Sequence, residues 1–161
     1  MPERFLPTEQ VLTLLAENPR RLAAITGRAA PAQLQTKPAP DAWSVNDVLA
    51  HMRSCADVWG GCIAVIIAED RPTIRAVNPR TWIKGTKYPE LQFRESLSAF
   101  ESQRAELLAV LDQLPSKGWS RKATVTGAGS VLVRSVHFYA QWLARHERTH
   151  VKQIERIVNV R

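Results

Sequence analysis

Two histidines near the carboxyl end carry the clearest chemical signal in the chain. His146 and His150 lie in the run HERTH, which fits H-E-x-x-H. On a helix this spacing sets two imidazoles one turn apart on one face, a good chelating pair. A hydrogen-bonded pair of core histidines would have the same spacing, and the pair alone does not separate the two readings. In zinc peptidases the histidines of this pattern bind the metal and the glutamate is the general base. Those enzymes take a further ligand from downstream, beyond a bend in the chain. Here only VKQIERIVNVR follows His150, with no histidine, and Glu155 lies on the same helix and cannot fold back onto the pair. A peptidase is not expected.

A third ligand must come from elsewhere. His137 precedes His146 by nine residues, a rotation of about 180° on a helix, and is read as a packing or surface residue. His51 lies midway along an earlier helix, beside its apolar stripe. Ligands from facing helices meet in the core of a bundle. His51, His146 and His150 would then supply three nitrogens and leave positions open for water or substrate, as in a catalytic site. Zn²⁺ suits such a set, and Ni²⁺, Fe²⁺ and Mn²⁺ are compatible with it. Cys55, one turn beyond His51, is within reach as a fourth ligand, although a buried structural thiol is the preferred reading. Glu147 is rotated about 100° from His146 and is a weak candidate for acid–base work, for orienting a histidine, or for a place in solvent. Gln153, one turn after His150, would either bond to a ligand or a histidine or pack between helices.

The elements that would hold these residues are helices, and no strand is expected. Thr8 can cap a first helix carrying Val11, Leu14 and Leu15, with Asn18-Pro19 opening a second segment through Leu22 and Ile25. A proline-rich connector spans Pro31 to Trp43. Ser44, with Asp47 three residues on, caps a long helix whose stripe is Val45, Val48, Met52, Cys55, Trp59, Cys62 and Ile66. Gly60-Gly61 inside it suggests the close approach of a neighbouring helix. A long connection from Asp70 to Tyr88 permits parallel neighbours in the bundle. A third helix carries Phe93, Leu97, Phe100, Leu107, Leu111 and Leu114 and stops at Pro115. A polar loop through Gly127 and Gly129 reaches Ser130, the expected cap of the last helix. That helix has the stripe Leu132, Val136, Tyr139, Leu143, His146, His150, Gln153, Ile157, so both histidines continue its core-facing seam. The sum is an all-α four-helix bundle.

Composition agrees with one globular domain over residues 1–161, at 45% hydrophobic and 23% charged. The net charge of +7 comes from scattered Lys and Arg with no groove-reading motif, so no nucleic-acid partner is expected. The charge reads first as an ordinary Arg-rich surface, with recruitment of a small anionic substrate as the alternative. The start, MPERFLPTEQ, lacks a signal-peptide core, and the apolar run Cys62–Ala68 is too short to span a membrane. Cys55 and Cys62 stand about 10 Å apart along one helix and cannot bridge, which points to the reducing cytoplasm. The tryptophans are packing anchors, with Trp119 and Arg121 placed to line a pocket mouth.

With these residues in place the chain resembles the DinB/YfiT-like superfamily of metal-binding four-helix bundles. The likeness covers nearly the whole chain. It starts at Asn18-Pro19 and the helix to Ala30, and is strongest in WSVNDVLAHM. It continues through AEDRPTIRAVNPRTW and LPSKGWSRKATVTG and closes on HERTHVKQI. Asp47 and Met52 depart mildly from that family's Glu and Leu. The resemblance implies an up-down-down-up bundle with a long crossover between the second and third helices, often homodimeric. It also implies nickel or zinc on three histidines, here His51, His146 and His150. Family members include S-transferases and isomerases that use thiols such as bacillithiol or mycothiol, proteins labelled metal-dependent hydrolases, and many without known activity. Three functions follow as expectations. The first is thiol S-transfer to an electrophile, with Arg121 and Arg145 as candidates to hold the thiol's carboxylates. The second is metal-dependent hydrolysis, and the third a non-catalytic, metal-stabilised stress-response or binding module.

Overall fold

The computed structural model describes residues 4–159. In chain order its elements are α1 (Thr8–Thr26), α2 (Pro31–Gln35), α3 (Val45–Ala68), β1 (Thr73–Arg75) and α4 (Pro79–Trp82). Two 3₁₀ turns follow (Ile83–Gly85 and Tyr88–Glu90), then α5 (Phe93–Asp112), α6 (Ser116–Trp119), β2 (Lys122–Thr126), β3 (Leu132–Ser135) and α7 (Val136–Asn159). The long helices α1, α3, α5 and α7 form a four-helix bundle in which α7 packs on α1 and α3, and α5 packs on the other sides of the same two.

Side-chain contacts give the directions. Along α3 and α5 they advance together, Arg53 to Ser96 and then Asp57 to Gln103, so these helices are parallel. Leu6 meets Gln141 and Asn18 meets Glu147, so α1 and α7 are parallel as well. Between α3 and α7 the order reverses, His51 against His150 and Trp59 against Trp142. It reverses too between α1 and α5, where Leu15 meets Arg104 and Thr26 meets Arg94. The topology is therefore up-down-down-up, with the crossover between α3 and α5 that parallel neighbours require.

Ser44 caps α3 as its sequence predicts: its Oγ accepts from the Asp47 N–H, and the Asp47 carboxylate accepts from the Ser44 N–H. α1 differs from expectation. It runs unbroken through Pro19 and begins after Pro7, so Thr8 is its first residue rather than its cap. Proline lacks the N–H that would bond to the carbonyl four residues back. That carbonyl belongs to Leu15, and Arg104 of α5 donates to it instead at 2.9 Å. A tertiary contact thus replaces the missing helix bond.

Four further expectations are corrected. A small sheet is present, with β1 parallel to β2 and β2 antiparallel to β3. The supposed polar loop is the hairpin β2–β3, turned through Gly127 and Gly129, both at positive φ. The cap of α7 is Ser135, whose Oγ accepts from the Phe138 N–H, because Ser130 precedes strand β3. Gly60 and Gly61 do not mark a close helix approach: a Cβ at either would meet nothing within 4 Å. They border a groove between α3 and α5. Among the described residues no helix is long and apolar enough to cross a membrane.

Candidate metal centre

His51 sits in the second turn of α3, held there by the capping box and by Trp43, whose ring lies 5.2 Å from the imidazole between centroids. His146 and His150 come from α7, which runs antiparallel beside α3. The three rings converge: centroids are 5.3 Å apart for His51 and His146, 4.9 Å for His51 and His150, and 4.4 Å for His146 and His150. Trp59 closes one side, edge-on to His146 at 5.0 Å. The expected triad is thus brought together in space, while His137 is turned elsewhere, bonding through Nε2 to the Leu6 carbonyl.

The arrangement fits a divalent ion. Nε2 of His150 lies 3.3 Å from Nε2 of His146. Two nitrogens held at about 2.0–2.1 Å by one tetrahedral ion stand about 3.3–3.4 Å apart. Gln153 Oε1 accepts from His150 Nδ1 at 2.9 Å, which puts the lone pair of that ring on Nε2, the atom that faces His146. Nδ1 of His146 is buried without a hydrogen-bond partner among the described residues. Burial, then the neighbouring His150 and Arg80, lower the His51 pKa to about 4. Burial, His150 and His51 lower that of His146 to about 4. Both rings are therefore neutral near pH 7, the form a metal needs.

Cys55 is buried one turn from His51, its Sγ 3.5 Å from His51 Nε2. Donor atoms of His51, Cys55 and His146 lie within 4.8 Å of one another. Burial and the charge of Glu147, partly offset by Arg80, push the thiol up to about 12. Cys62 is also a free thiol.

Glu147 does not join the His146–His150 pair but turns toward α1 and α5. Its carboxylate is fully buried in the core and receives both terminal nitrogens of Arg104, one at 2.7 Å, as well as Asn18 Nδ2 at 3.2 Å. A carboxylate so paired is a structural anchor linking α1, α5 and α7, and it corrects the acid–base candidacy. Arg121 is corrected too. It donates to the Ile66 and Glu69 carbonyls at the far end of α3, fifteen residues or about 22 Å from His51 along the helix. The cleft it lines contains no histidine. Arg145 is exposed on α7.

The cleft that does reach the cluster, about 540 Å³, is lined by Asp41, Trp43, Arg80, His150, Gln153 and Arg156 among others. Sequence reasoning missed Arg80 and Arg156 as cleft residues. Arg80 belongs to α4 in the crossover, its guanidinium 5.4 Å over the Trp43 ring. Asn78-Pro79, an N-cap followed by a first-turn proline, was the local sign that this connection holds a helix. Asp57 pins the crossover over the site, accepting from Trp82 Nε1 at 3.1 Å and the Tyr88 hydroxyl at 2.6 Å.

Fold and site together define a helical bundle with an inward-facing histidine cluster. The chain belongs to the DinB superfamily, whose family model matches residues 14–154. Among solved structures it is similar to YfiT from Bacillus subtilis, described as a probable metal-dependent hydrolase with an unusual four-helix bundle topology. That similarity has a TM-score of 0.80 at 17% identity and covers 98% of this chain and 90% of that one. No curated protein matches the sequence significantly.

Proposed function

We propose that His51, His146 and His150 hold a divalent metal, nickel or zinc, and that the protein is a metal-dependent S-transferase acting on a small thiol and an electrophile. The observation that carries this reading is the convergence of three imidazoles, two of them kept neutral, with His150 lining a cleft. A bound ion would supply Lewis acidity, lowering the pKa of a thiol or water that reaches it. The chain's own residues do the remainder. Arg80 and Arg156 place positive charge at the cleft wall, suited to an anionic thiol or acceptor. Trp43 and Trp59 flank the histidines with apolar surface that limits water. Gln153 fixes the His150 ring.

Hydrolysis is the second reading, favoured by the description of YfiT. It is weakened here because the glutamate of the H-E-x-x-H pattern is tied to Arg104 and is not free to serve as a base for water. A cytoplasmic location and a homodimer belong to the same proposal.

The test starts from untagged protein, with bound metals measured by mass spectrometry. Wild type is expected to carry close to one nickel or zinc per chain, and His51→Ala to carry almost none. The metal-loaded protein is then assayed with a panel of low-molecular-weight thiols and a generic electrophile, and separately with esters and amides without thiol. Metal-dependent conjugation supports S-transfer. Turnover of esters or amides alone supports hydrolysis. Full metal content with neither activity leaves a metal-stabilised module, and absence of metal overturns the site itself.

A further inference from the structure

Resting on the metal reading above, we propose that Cys55 is a fourth protein ligand, so that this chain's centre is a three-histidine, one-cysteine site. Cys55 and His51 stand four residues apart on α3, as His146 and His150 do on α7. Each helix therefore offers one i, i+4 pair, and antiparallel packing sets the two pairs against each other. A thiolate at about 2.3 Å and a nitrogen at about 2.0–2.1 Å from one tetrahedral ion are separated by about 3.6 Å. The Cys55 Sγ to His51 Nε2 distance is 3.5 Å. On the other helix the nitrogen pair is 3.3 Å apart, also the length of a tetrahedral edge. The sulfur and a donor atom of His146 are within 4.8 Å, so the His51–Cys55 pair faces His146 across the helix interface.

A plain S–H···N hydrogen bond to His51 would give the same contact, and it predicts a different chemistry. With the thiolate as ligand the site is softer and four-coordinate, which favours zinc over nickel. It also places a protein group at the position an incoming thiol would occupy, so an added thiol has to compete with Cys55.

The experiment uses full-length untagged protein stripped of metal and titrated with Co²⁺. Thiolate ligation is expected to give a near-ultraviolet sulfur-to-cobalt charge-transfer band together with the intense visible bands of tetrahedral cobalt. Cys55→Ser is expected to lose the charge-transfer band and to weaken metal affinity about tenfold or more. Cys62→Ser, which changes the other thiol, is expected to keep the band. X-ray absorption of the zinc-loaded protein is expected to count one sulfur at about 2.3 Å. Circular dichroism confirms that each variant is folded, and the absorption measurement on wild type stands even if Cys55→Ser does not fold. Metal bound by nitrogen and oxygen alone, with no charge-transfer band, overturns Cys55 ligation and leaves the three-histidine site standing. Failure of wild type to bind any divalent ion overturns both.

Discussion

Glu147 stands beside a metal-type histidine in sequence and on another face of the helix in space. Its charge is neutralised by Arg104, with both side chains almost fully buried. Removing one partner of such a pair strands the other charge in the core, at a cost of about 3–5 kcal/mol. Glu147→Gln is therefore expected to lower the melting temperature sharply while bound metal per folded chain stays at the wild-type level. A general-base role would show the reverse, lost turnover at unchanged stability. The histidines make a second prediction. In the metal-free protein His51 and His146 titrate near 4, against 6.5 for the ordinary ring. Between those values the unfolded chain takes up protons that the folded chain excludes. Stability contributed by the two rings is thus complete above about pH 6.5 and declines as the pH falls toward 4. Urea melts across that range will show the slope, and His146→Gln will flatten it.

The helices owe their positions to local signals and to contacts that repair local faults. α3 starts at a complete capping box, and α1 survives Pro19 because Arg104 takes over the orphaned Leu15 carbonyl. Gly60 and Gly61 are different, since no neighbour requires them: both are helical and a Cβ at either has open space. Glycine costs roughly 0.5–1 kcal/mol relative to alanine inside a helix. Gly60→Ala and Gly61→Ala are each expected to raise stability by about that amount, read as an increase in the urea midpoint. A fall would mean that the groove between α3 and α5 is occupied in the working protein.

At the scale of the molecule, the proposed ligands join α3 to α7, and α7 also packs on α1. An ion bound there links antiparallel elements far apart in sequence and stabilises only the folded chain. Free metal at about 100 times its dissociation constant contributes about 2.7 kcal/mol, which for a chain of this size raises the melting temperature by about 5–10 °C. Scanning calorimetry with zinc or with chelator is expected to show that shift in wild type and to lose it in His51→Ala. The cleft at this end carries Arg80 and Arg156, whereas Arg121 serves the far end of α3 by bonding its last carbonyls. Arg80 and Arg156 thus border the cleft at the histidine end, and Arg121 holds the other end of α3.

The helical periods, the Ser44 capping box and the shared face of His146 and His150 were all legible along the chain, because each depends on residues within about one or two turns. The pairing of His51 with α7 needed a direction for each helix, which contacts alone supply. The inward turn of Glu147 was hidden for a related reason. A seam of threes and fours describes one buried face, but α7 packs on both α1 and α3, so a second face is buried and takes a charge once Arg104 arrives from α5. The sheet escaped notice because its strands, β1 of three residues, β2 of five and β3 of four, are too short to set a period. β1 also pairs with a partner some fifty residues away in the chain. Local order follows from nearest neighbours, whereas the site follows from which faces meet.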